Sequence, residues 1–578
     1  MSGFTATSTG TTNVLRDVRR VGECALLVEC ADLSEVVALY NQLRTHPLPG
    51  QVDLLSAART VLVLASTPAA ALAMRSPLAT LLVATDTTAV GKSLTVDVVY
   101  NGADIVDAAA LLGLSVDAVI AAHTGQLWVA AFNGFLPGFA YCVGENHVLD
   151  VARRAAPRTA VPANSVGLAG EFSAIYPKES PGGWRLIGHT AARLWELGRR
   201  PPALINPGDQ VRYIAVRELL QMSDPSHPCT VPEEVPNHTG TSLHPADSRL
   251  EIVSPDWLSP VEDAGRPDLS ECALDVSKAL DQAAVVRGGT PVGLVTSSSP
   301  VVGSYLEVVS PGWLSLIEDR GRPGLLGSAV GVSGALDQAA LARANTALGN
   351  SLDAAGVETL GGLELVAHGA VSVAVVPPGE DAIVQQLADG ETLRVPQPRY
   401  GLRSYVAAAG GIASPSVLGS RSTDILSGLG PEQLNVGTLL PIGSGSAGTG
   451  LTNFRPANFS LSETLTLRIT LGPREDWLSA KALASLTEQR WEVSNAANRI
   501  GLRLIGQPLQ LANTTELPSE GIQPGAIQLP PNGLPVVFLR DHPTTGGYPV
   551  VGVVVRADLD LLAQVRPGAH IQFVVPVY

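Results

Sequence analysis

The segment DHPTTGGYP, residues 541–548 with the proline that follows, concentrates groups able to do chemistry. It supplies a carboxylate, an imidazole, two hydroxyls and two glycine N–H groups within a short loop. A preorganised set of donors of this kind binds an amide or an anionic intermediate, although Gly-Gly-Tyr-Pro is equally a good hairpin turn. Asp541 is the catalytic candidate of this segment. Its binding candidates are Thr544, Thr545, Gly546, Gly547 and Tyr548.

Arginines beside small residues recur in other glycine-rich turns of the second half. Such an arginine suits a bidentate clamp for a carboxylate or phosphate. Asp319 with Arg322, and Arg421 with Asp424, are alternatively buried ion pairs that hold their loops in place. Asp319 is a second catalytic candidate. The remaining binding candidates here are Arg322, Asp337, Asn345, Arg421, Thr423, Arg499 and Gln528.

In the first half, glycines and prolines are dense between Phe132 and Thr190, and β-branched and aromatic residues fill the gaps. This pattern predicts short strands and tight turns. Large rings stand beside residues that let the backbone approach closely, which favours a ligand-sized cleft in a β-barrel. Alternatively, the glycines and prolines only turn barrel corners. The binding candidates are Phe135, Pro137, Tyr141, Tyr176, Gly182, Gly183 and Trp184.

The elements that must position these residues follow from periodicity. Residues 21–85 predict a strand, a helix over SEVVALYNQLRTH and further strands, the last over the apolar LATLLVAT. The segment DIVDAAALLGLSVDAVIAAHT predicts helix, turn and helix. Between them, DTTAVGKS ends like a phosphate-binding loop, but its first glycine is replaced by Asp86 and an alternating strand follows Ser93, so we do not assign it that role.

Composition narrows the class of protein. A net charge of −15 with four lysines argues against an extended nucleic-acid surface. Five scattered cysteines without C-x-x-C fit a reducing compartment. The N-terminus lacks the apolar segment of a signal peptide, and no apolar run reaches about 18 residues. We therefore expect a cytoplasmic protein without membrane contact, and no histidine or cysteine spacing predicts a metal site.

A polar linker rich in Pro, Ser and His leads into an internal repeat. LEIVSPDWLSPVEDAGRPD…VSKALDQAA from Leu250 matches LEVVSPGWLSLIEDRGRPG…VSGALDQAA from Leu306, 56 residues later. Two copies are too few for a solenoid, so a local duplication is the simpler interpretation. The second copy keeps glycines that the first lacks, and we assign it the working role. The first copy, 250–284, either is ordered by itself or competes for the place of the second.

The order GFLPGFAY, PR-x-x-VP-x-x-SV, YP-x-x-SPGGW and LIGHT resembles the B subunit of bacterial 5-oxoprolinase, a family also known as allophanate hydrolase subunit 1 or Kip-type inhibitor. Two departures are Asn164, within the Gly-Ser position of the family, and His189, where the family has arginine. His189 is the third catalytic candidate. From Leu306 onward, EDRGRPG, SGALDQAALARANTALGN, LGSRSTD, NRIGLRLIG, PSEGIQPGAIQLPPNG and DHPTTGGYPV resemble the C subunit of the same enzyme.

The resemblance implies a mainly β protein with α+β parts, in which a small N-terminal α+β domain precedes a cyclophilin-like β-barrel and two further barrel-like lobes. The expected boundaries are 1–95 for the α+β domain, 96–216 for the barrel, 217–305 for the linker with the first copy, and 306–450 and 451–578 for the lobes.

The implied function is ATP-dependent opening of 5-oxoproline to L-glutamate together with a separate A subunit of 5-oxoprolinase. ATP would be a co-substrate, with Mg²⁺ supplied alongside it, and the small-molecule substrate would bind between the two halves. No Met-Lys biotin acceptor occurs in the sequence. The resemblance leaves open whether the chain forms a homo-oligomer.

Two alternatives remain. The last part of urea carboxylase resembles the same two units joined, so the chain is alternatively a carboxyltransferase component that needs biotin-carrying partners. Kip-type pairs act on a sensor histidine kinase, which makes a kinase regulator the second alternative.

Overall fold

The computed structural model describes residues 15–83, 91–154, 158–219, 303–444, 464–513 and 515–576. The linker, the first repeat copy and most of DTTAVGKS lie outside these ranges. The described chain is mainly β with short helices, which confirms the predicted fold class. Among the described helices, none alone has the length and apolar composition to cross a membrane, and the helices 105–112 and 116–124, bent by 89°, meet that test only as a pair.

The first unit is a four-stranded antiparallel sheet, in the order β1-β2-β4-β3, with two helices against one face. Its elements are β1 (Val18–Val21), β2 (Ala25–Glu29), α1 (Leu33–Thr45), β3 (Gln51–Ser56), β4 (Thr60–Ala65) and α2 (Pro68–Thr80). The strand predicted over 78–85 is wrong, since α2 extends through Thr80. Thr67 caps this helix by accepting from the N–H of Ala70, and Pro68 occupies its first turn.

The second unit is a seven-stranded sheet in the order β12-β9-β10-β7-β6-β13-β5. Its edges meet through a bridge between Val99 and His189, so the sheet nearly closes into a barrel. The predicted helix, turn and helix are confirmed as α3 and α4. The elements are β5 (Ser93–Val98), α3 (Ile105–Leu112), α4 (Val116–Thr124), β6 (Trp128–Asn133), β7 (Ala140–Gly144), β8 (Arg158–Val161), β9 (Ser165–Ala169), β10 (Phe172–Ile175), β11 (Ser180–Gly182), β12 (Arg185–His189) and β13 (Gln210–Ala215).

The third unit packs a four-stranded sheet, β20-β17-β14-β22, against a five-stranded sheet, β15-β16-β21-β18-β19, around one apolar core. A helix covers the outer face of the larger sheet. The elements are β14 (Tyr305–Pro311), β15 (Ser315–Glu318), α5 (Gln338–Ala347), β16 (Gly356–Thr359), β17 (Leu363–His368), β18 (Val371–Val376), β19 (Ile383–Leu387), β20 (Thr392–Val395), β21 (Ser404–Ala408) and β22 (Leu439–Pro441).

The fourth unit is a closed barrel in the order β23-β30-β27-β28-β25-β24-β31, with the pair β26-β29 beside it. Barrel closure leaves no free sheet edge, and the interior is filled by side chains such as Trp491 and Phe573. The elements are β23 (Thr464–Leu471), α6 (Ala480–Glu488), β24 (Trp491–Val493), β25 (Gly501–Ile505), β26 (Glu520–Gly521), β27 (Ala526–Gln528), β28 (Val536–Phe538), β29 (Thr545–Gly546), β30 (Val550–Val554), α7 (Leu559–Leu562) and β31 (His570–Val574).

The two ends of the chain are packed together. The face of the first sheet that the helices leave open is buried against the closed barrel, where Leu27 and Leu62 share an apolar cluster with Phe538 and Val553. Arg474 of the fourth unit forms a salt bridge with Glu29 of the first sheet, with 2.7 Å between Nη1 and Oε1. The first and fourth units therefore pack against each other through an apolar interface and an ion pair.

Two glycines of the second repeat copy occupy positions where the first copy has larger residues. Gly312 has φ +65°, and a Cβ on it would collide with the carbonyl oxygen of Gly361, whereas the first copy has Asp256 at this position. Gly334 has φ +92°, and a Cβ there would lie 2.8 Å from backbone atoms, whereas the first copy has Lys278. Because these contacts are with backbone, glycine suits both positions better than the first-copy residues do, while the role of the first copy, which lies outside the described residues, stays a prediction.

Candidate functional site

The two segments that the sequence singled out, 132–141 and 541–548, meet at one junction. The backbone N–H of Phe135 donates to Oγ1 of Thr545 at 2.9 Å. A Cβ on Gly134 would lie 2.6 Å from the same hydroxyl, so only glycine permits this approach. Phe135 itself has φ +64°, a left-handed conformation that costs a bulky residue about 1 kcal/mol or more. The hydrogen bond across the junction thus offsets local backbone strain.

The predicted aromatic residues form one cluster beside this junction. Phe139 makes edge-to-face contacts with Tyr141, Tyr176 and Trp184 at ring distances of 5.0, 5.2 and 5.4 Å. These rings belong to the same apolar cluster as Leu426, which comes from the second half of the chain. A Cβ on Gly182 would collide with the hydroxyl of Tyr176, which explains the glycine of the SPGGW segment. The cluster shields the junction from solvent.

Asp319 organises the loops of the second half through hydrogen bonds. Its carboxylate accepts from the hydroxyls of Ser420 and Ser422, both at 2.6 Å, and from the N–H groups of Gly321 at 2.7 Å and Arg421 at 2.6 Å. The suggested ion pair between Asp319 and Arg322 is not formed. Because these donors come from segments about 100 residues apart, Asp319 fixes one loop against the other.

Arg322 is fully buried beneath the same loop, with 1% of its surface exposed. Its Nη2 donates to the carbonyl oxygen of Ser422. Within the described residues, its Nε and Nη1 have no hydrogen-bond partner. The same holds for the hydroxyls of Thr423 and Thr544 and for the side-chain amide of Asn133. The last of these was not among the sequence-derived candidates, although it lies in the FNGFLPGFAY segment.

Arg499 and Asp541 belong to a buried charge network. The guanidinium contacts carboxylates of Asp541 at 2.9 Å, Glu358 at 2.6 Å and Glu318 at 3.2 Å. Burial raises the pKa of Glu318 well above its usual range. Although burial acts in the same direction on Glu358, the guanidinium groups of Arg499 and Arg403 lower the pKa of its carboxyl. Removing one member would leave an uncompensated buried charge, so loss of a single partner would weaken the contact between the third and fourth units.

Asp541 has both carboxylate oxygens occupied in this network. Besides Arg499, it accepts from the hydroxyl of Ser333 at 2.7 Å and from the N–H of Ile425 at 3.2 Å. Ser333 has φ +53°, a second strained residue beside the junction. These contacts position the loop 422–430 relative to the loop 541–548, and the catalytic role of Asp541 stays a prediction.

Asp424 is a further buried carboxylate of this region, and hydrogen bonds occupy both of its oxygens. Its Oδ2 accepts from the hydroxyl of Ser427 at 2.6 Å, and its Oδ1 accepts from two backbone N–H groups. Burial and the nearby Asp541 raise its pKa to about 6. The suggested ion pair with Arg421 is not formed, because Nε of Arg421 donates to the carbonyl oxygen of Ser414 at 2.7 Å. Asp424 is therefore a buried carboxyl with a raised pKa at the junction.

Lys178 approaches the same loop from the first half. A Cβ on Gly428, which follows Asp424 by four residues, would lie 2.7 Å from its Nζ. Desolvation by the facing loop lowers the pKa of this ammonium, and the charge of Asp424 opposes that change. The sequence places Lys178 in the YPKESPGGW segment, but nothing local indicates which loop of the other half it meets.

Several other candidates from the sequence contribute to helices, strands and turns. Asp337 caps α5 by accepting from the N–H of Ala340 at 2.8 Å, and burial raises its pKa to about 6. Asn345 donates to the carbonyl of Ala354 at 2.8 Å, and Gln528 to that of Tyr548 at 3.0 Å. Gly546 lies within the short strand β29, and a Cβ on Gly547 would lie 3.3 Å from Arg153 of the first half.

His189 lies at the seam where the seven-stranded sheet closes, and its Nδ1 is 2.8 Å from Oδ1 of Asn101. Within the described residues, none of its hydrogen bonds joins it to the junction. Asn164 has φ +64°, which explains why a glycine suits this position and why asparagine is compatible with it. Pro137 occupies the turn between Leu136 and Phe139.

Neither a metal cluster nor a phosphate loop is present in the described ranges. They contain no group of three or more histidine, cysteine or acidic side chains that would hold a metal ion. Lys92 is held by Asp209, whose Oδ1 accepts from its N–H at 3.0 Å, and Ser93 begins β5. The described end of DTTAVGKS therefore leads into a strand, as the sequence predicts, and does not fit a phosphate loop.

Comparison with known proteins matches both halves. Sequence models of the carboxyltransferase domain cover residues 16–205, as subdomains C and D, and residues 328–575, as subdomains A and B. The chain is 34% identical over 287 residues to the C subunit of 5-oxoprolinase from Escherichia coli K12, a match that covers 46% of this chain and 90% of that protein. It is 44% identical over 126 residues to the B subunit of the enzyme from Escherichia coli O157:H7, which is 21% of this chain and 58% of that protein.

Two further matches each cover more than half of the chain. Urea amidolyase of Lachancea kluyveri is 28% identical over 363 residues, which is 53% of this chain and 20% of that protein. The crystal structure of TTHA0988 aligns with 95% of this chain and with 99% of its own chain, at 26% sequence identity and a TM-score of 0.71. The arrangement of all four units thus recurs in a solved structure.

Proposed function

Because the chain belongs to the carboxyltransferase-domain family that includes 5-oxoprolinase subunits B and C, we propose that it is the fused B and C component of an ATP-dependent 5-oxoprolinase. It would act with a separate A subunit to hydrolyse 5-oxoproline to L-glutamate. The observation that carries this proposal is the order of the matches, since a region similar to the B subunit precedes one similar to 90% of the C subunit in a single chain. Fusion keeps the two parts at a fixed ratio and a high effective concentration.

This chain and the A subunit would carry out different parts of the reaction. A lactam is a stable amide, and ATP supplies the phosphoryl group that activates its carbonyl toward water, so that the ring C–N bond breaks and glutamate, ADP and phosphate result. In this proposal, nucleotide binding and the Mg²⁺ that accompanies ATP belong to the A subunit. This chain would then bind and orient the substrate and move protons at the junction.

We assign the proton transfer to Asp424. A carboxyl with a pKa of about 6 exchanges its proton readily near neutral pH, as a general acid or base must. Ser427 fixes its orientation, while Lys178 faces the same loop from the other half. The aromatic cluster around Phe139 would limit the access of bulk water to the activated carbonyl.

The test is glutamate release from 5-oxoproline and ATP, measured with this chain, with the A subunit from the same genome, and with both. We expect release only from the mixture. Absence of release, with the A subunit shown to be folded, would contradict the proposal.

A second candidate function is a biotin-dependent carboxyltransferase component. The matched domain is a carboxyltransferase domain, and the urea amidolyase match extends over 363 residues. This function requires a biotin-carrying partner. Recovery of a biotinylated protein on immobilised chain, without 5-oxoproline turnover in the mixture, would favour it.

A further inference from the structure

Four buried polar side chains beside the junction carry atoms that have no hydrogen-bond partner among the described residues. Each is at least nine-tenths buried, and the unpartnered atoms are shielded from solvent. Buried polar groups in native proteins nearly always have a partner, so a concentration of unpartnered ones indicates a place where something else binds. The four are Arg322, Thr423, Thr544 and Asn133.

These side chains come from segments that contact one another. The N–H two residues after Thr423 donates to Asp541, which begins the loop that carries Thr544. The threonine that follows Thr544 accepts from the backbone of the loop that begins at Asn133. Arg322 donates to the carbonyl oxygen of the residue before Thr423. The four residues therefore lie on segments that hydrogen bonds join at the contact between the two halves.

The donors and acceptors of this region define the ligand. Nε and Nη1 leave three N–H groups of the Arg322 guanidinium unused, which suits a carboxylate. The amide of Asn133 is able to donate to a carbonyl oxygen and accept from an N–H at the same time, which suits a second amide. The hydroxyls of Thr423 and Thr544 add a donor and an acceptor each.

We propose that this region binds a small carboxylate that carries an amide, with Arg322 on the carboxylate and Asn133 on the amide. The inference rests on the proposed function, because 5-oxoproline combines a carboxylate with a lactam. Since the unpartnered atoms are shielded in the present arrangement, the ligand enters when the two halves separate at the junction.

The experiment uses calorimetry to measure binding of 5-oxoproline, and of its neutral carboxamide, to the full chain without the A subunit. Loss of charged hydrogen bonds to a carboxylate weakens binding by about thirtyfold, so we expect this loss for Arg322→Met with 5-oxoproline. The carboxamide should bind wild type and Arg322→Met within about threefold of each other. Arg320→Met is the matched control, because Arg320 lies in the same loop and is more than half exposed.

Asn133→Leu keeps the test decisive if Arg322→Met does not fold. Asn133→Leu removes an unpartnered amide, so it should preserve the melting temperature and weaken the binding of both 5-oxoproline and its carboxamide. Wild-type-like binding by a folded Arg322→Met or Asn133→Leu chain would overturn the inference. Glutamate release by the mixture without 5-oxoproline binding to this chain would overturn the inference and leave the proposed function standing. Binding that depends on Arg322, with an inactive mixture, would support the inference and contradict the function.

Discussion

Two adjacent threonines at the junction provide a matched pair for testing the site. Thr544 and Thr545 are 1% and 3% exposed, but only Thr545 has a hydrogen-bond partner for its hydroxyl among the described residues. Valine has nearly the same shape as threonine and lacks the hydroxyl. A buried hydroxyl without a partner costs about 1–3 kcal/mol, so Thr544→Val should raise the free energy of unfolding by about 1 kcal/mol.

Thr545→Val should have the opposite effect. It removes the acceptor of the Phe135 N–H, which belongs to a residue with positive φ. A buried donor left without an acceptor costs about 1–3 kcal/mol, and strain at Phe135 would no longer be offset. We therefore expect the two variants to shift the melting temperature in opposite directions.

The assay is thermal unfolding monitored by circular dichroism, and the second readout is glutamate release by the mixture with the A subunit. The chain has several units, so the sign of each shift is compared and no two-state free energy is extracted. If Thr544 contacts the substrate, Thr544→Val should lower kcat/KM by about tenfold, a loss of about 1.4 kcal/mol, despite its higher melting temperature. Equal destabilisation by both variants would refute the reasoning, since Thr544 would then have a structural partner.

Three further predictions concern single positions. The folded-state pKa of Asp424 is raised above its ordinary value, so the stability that its protonated form contributes is present below about pH 4 and is lost as pH rises toward about 6. The wild-type melting temperature should therefore fall across this range, with a loss of up to about 3 kcal/mol in the free energy of unfolding. Asp424→Asn should flatten that fall. Gly334→Lys, the first-copy residue, should abolish folding measured by near-ultraviolet circular dichroism, while Gly331→Asp, also taken from the first copy, should be tolerated because the nearest atom to its Cβ is 3.6 Å away. Asp541→Asn should lower the melting temperature strongly, by a loss of about 3–5 kcal/mol, because Arg499 would lose a buried counter-charge; an unchanged melting temperature would contradict the network.

The sequence predicts the general architecture because its signals are local. The density of glycine, proline and aromatic residues over 132–190 predicts short strands and tight turns, which are present. The helix pair 105–124 follows from its periodicity. The apolar run 78–85 predicts a strand because periodicity does not separate a short apolar run at a helix end from one in a strand, and the helix start signals at Thr67 and Pro68 lie about ten residues upstream.

The site is predicted only in part, because its contacts are not local. The sequence identifies both segments that meet at the junction, but their contact joins residues 410 positions apart. The short spacing of Asp319 and Arg322 suggests a pair, whereas serines about 100 residues away take the carboxylate. No local pattern identifies Asp424, since its raised pKa arises from burial and from the later Asp541.

Whether the junction is the active site is decided by comparing Asp424→Asn with Asp353→Asn in the glutamate-release assay at neutral pH, with the A subunit present. The side chain of Asp353 is 75% exposed and its carboxylate lies 3.5 Å from Arg320, so this variant reports the effect of losing a surface carboxylate. If the junction is the active site, Asp424→Asn should lose about 100-fold or more in kcat while Asp353→Asn keeps wild-type activity. Full activity of a folded Asp424→Asn chain would place the chemistry elsewhere and contradict the account.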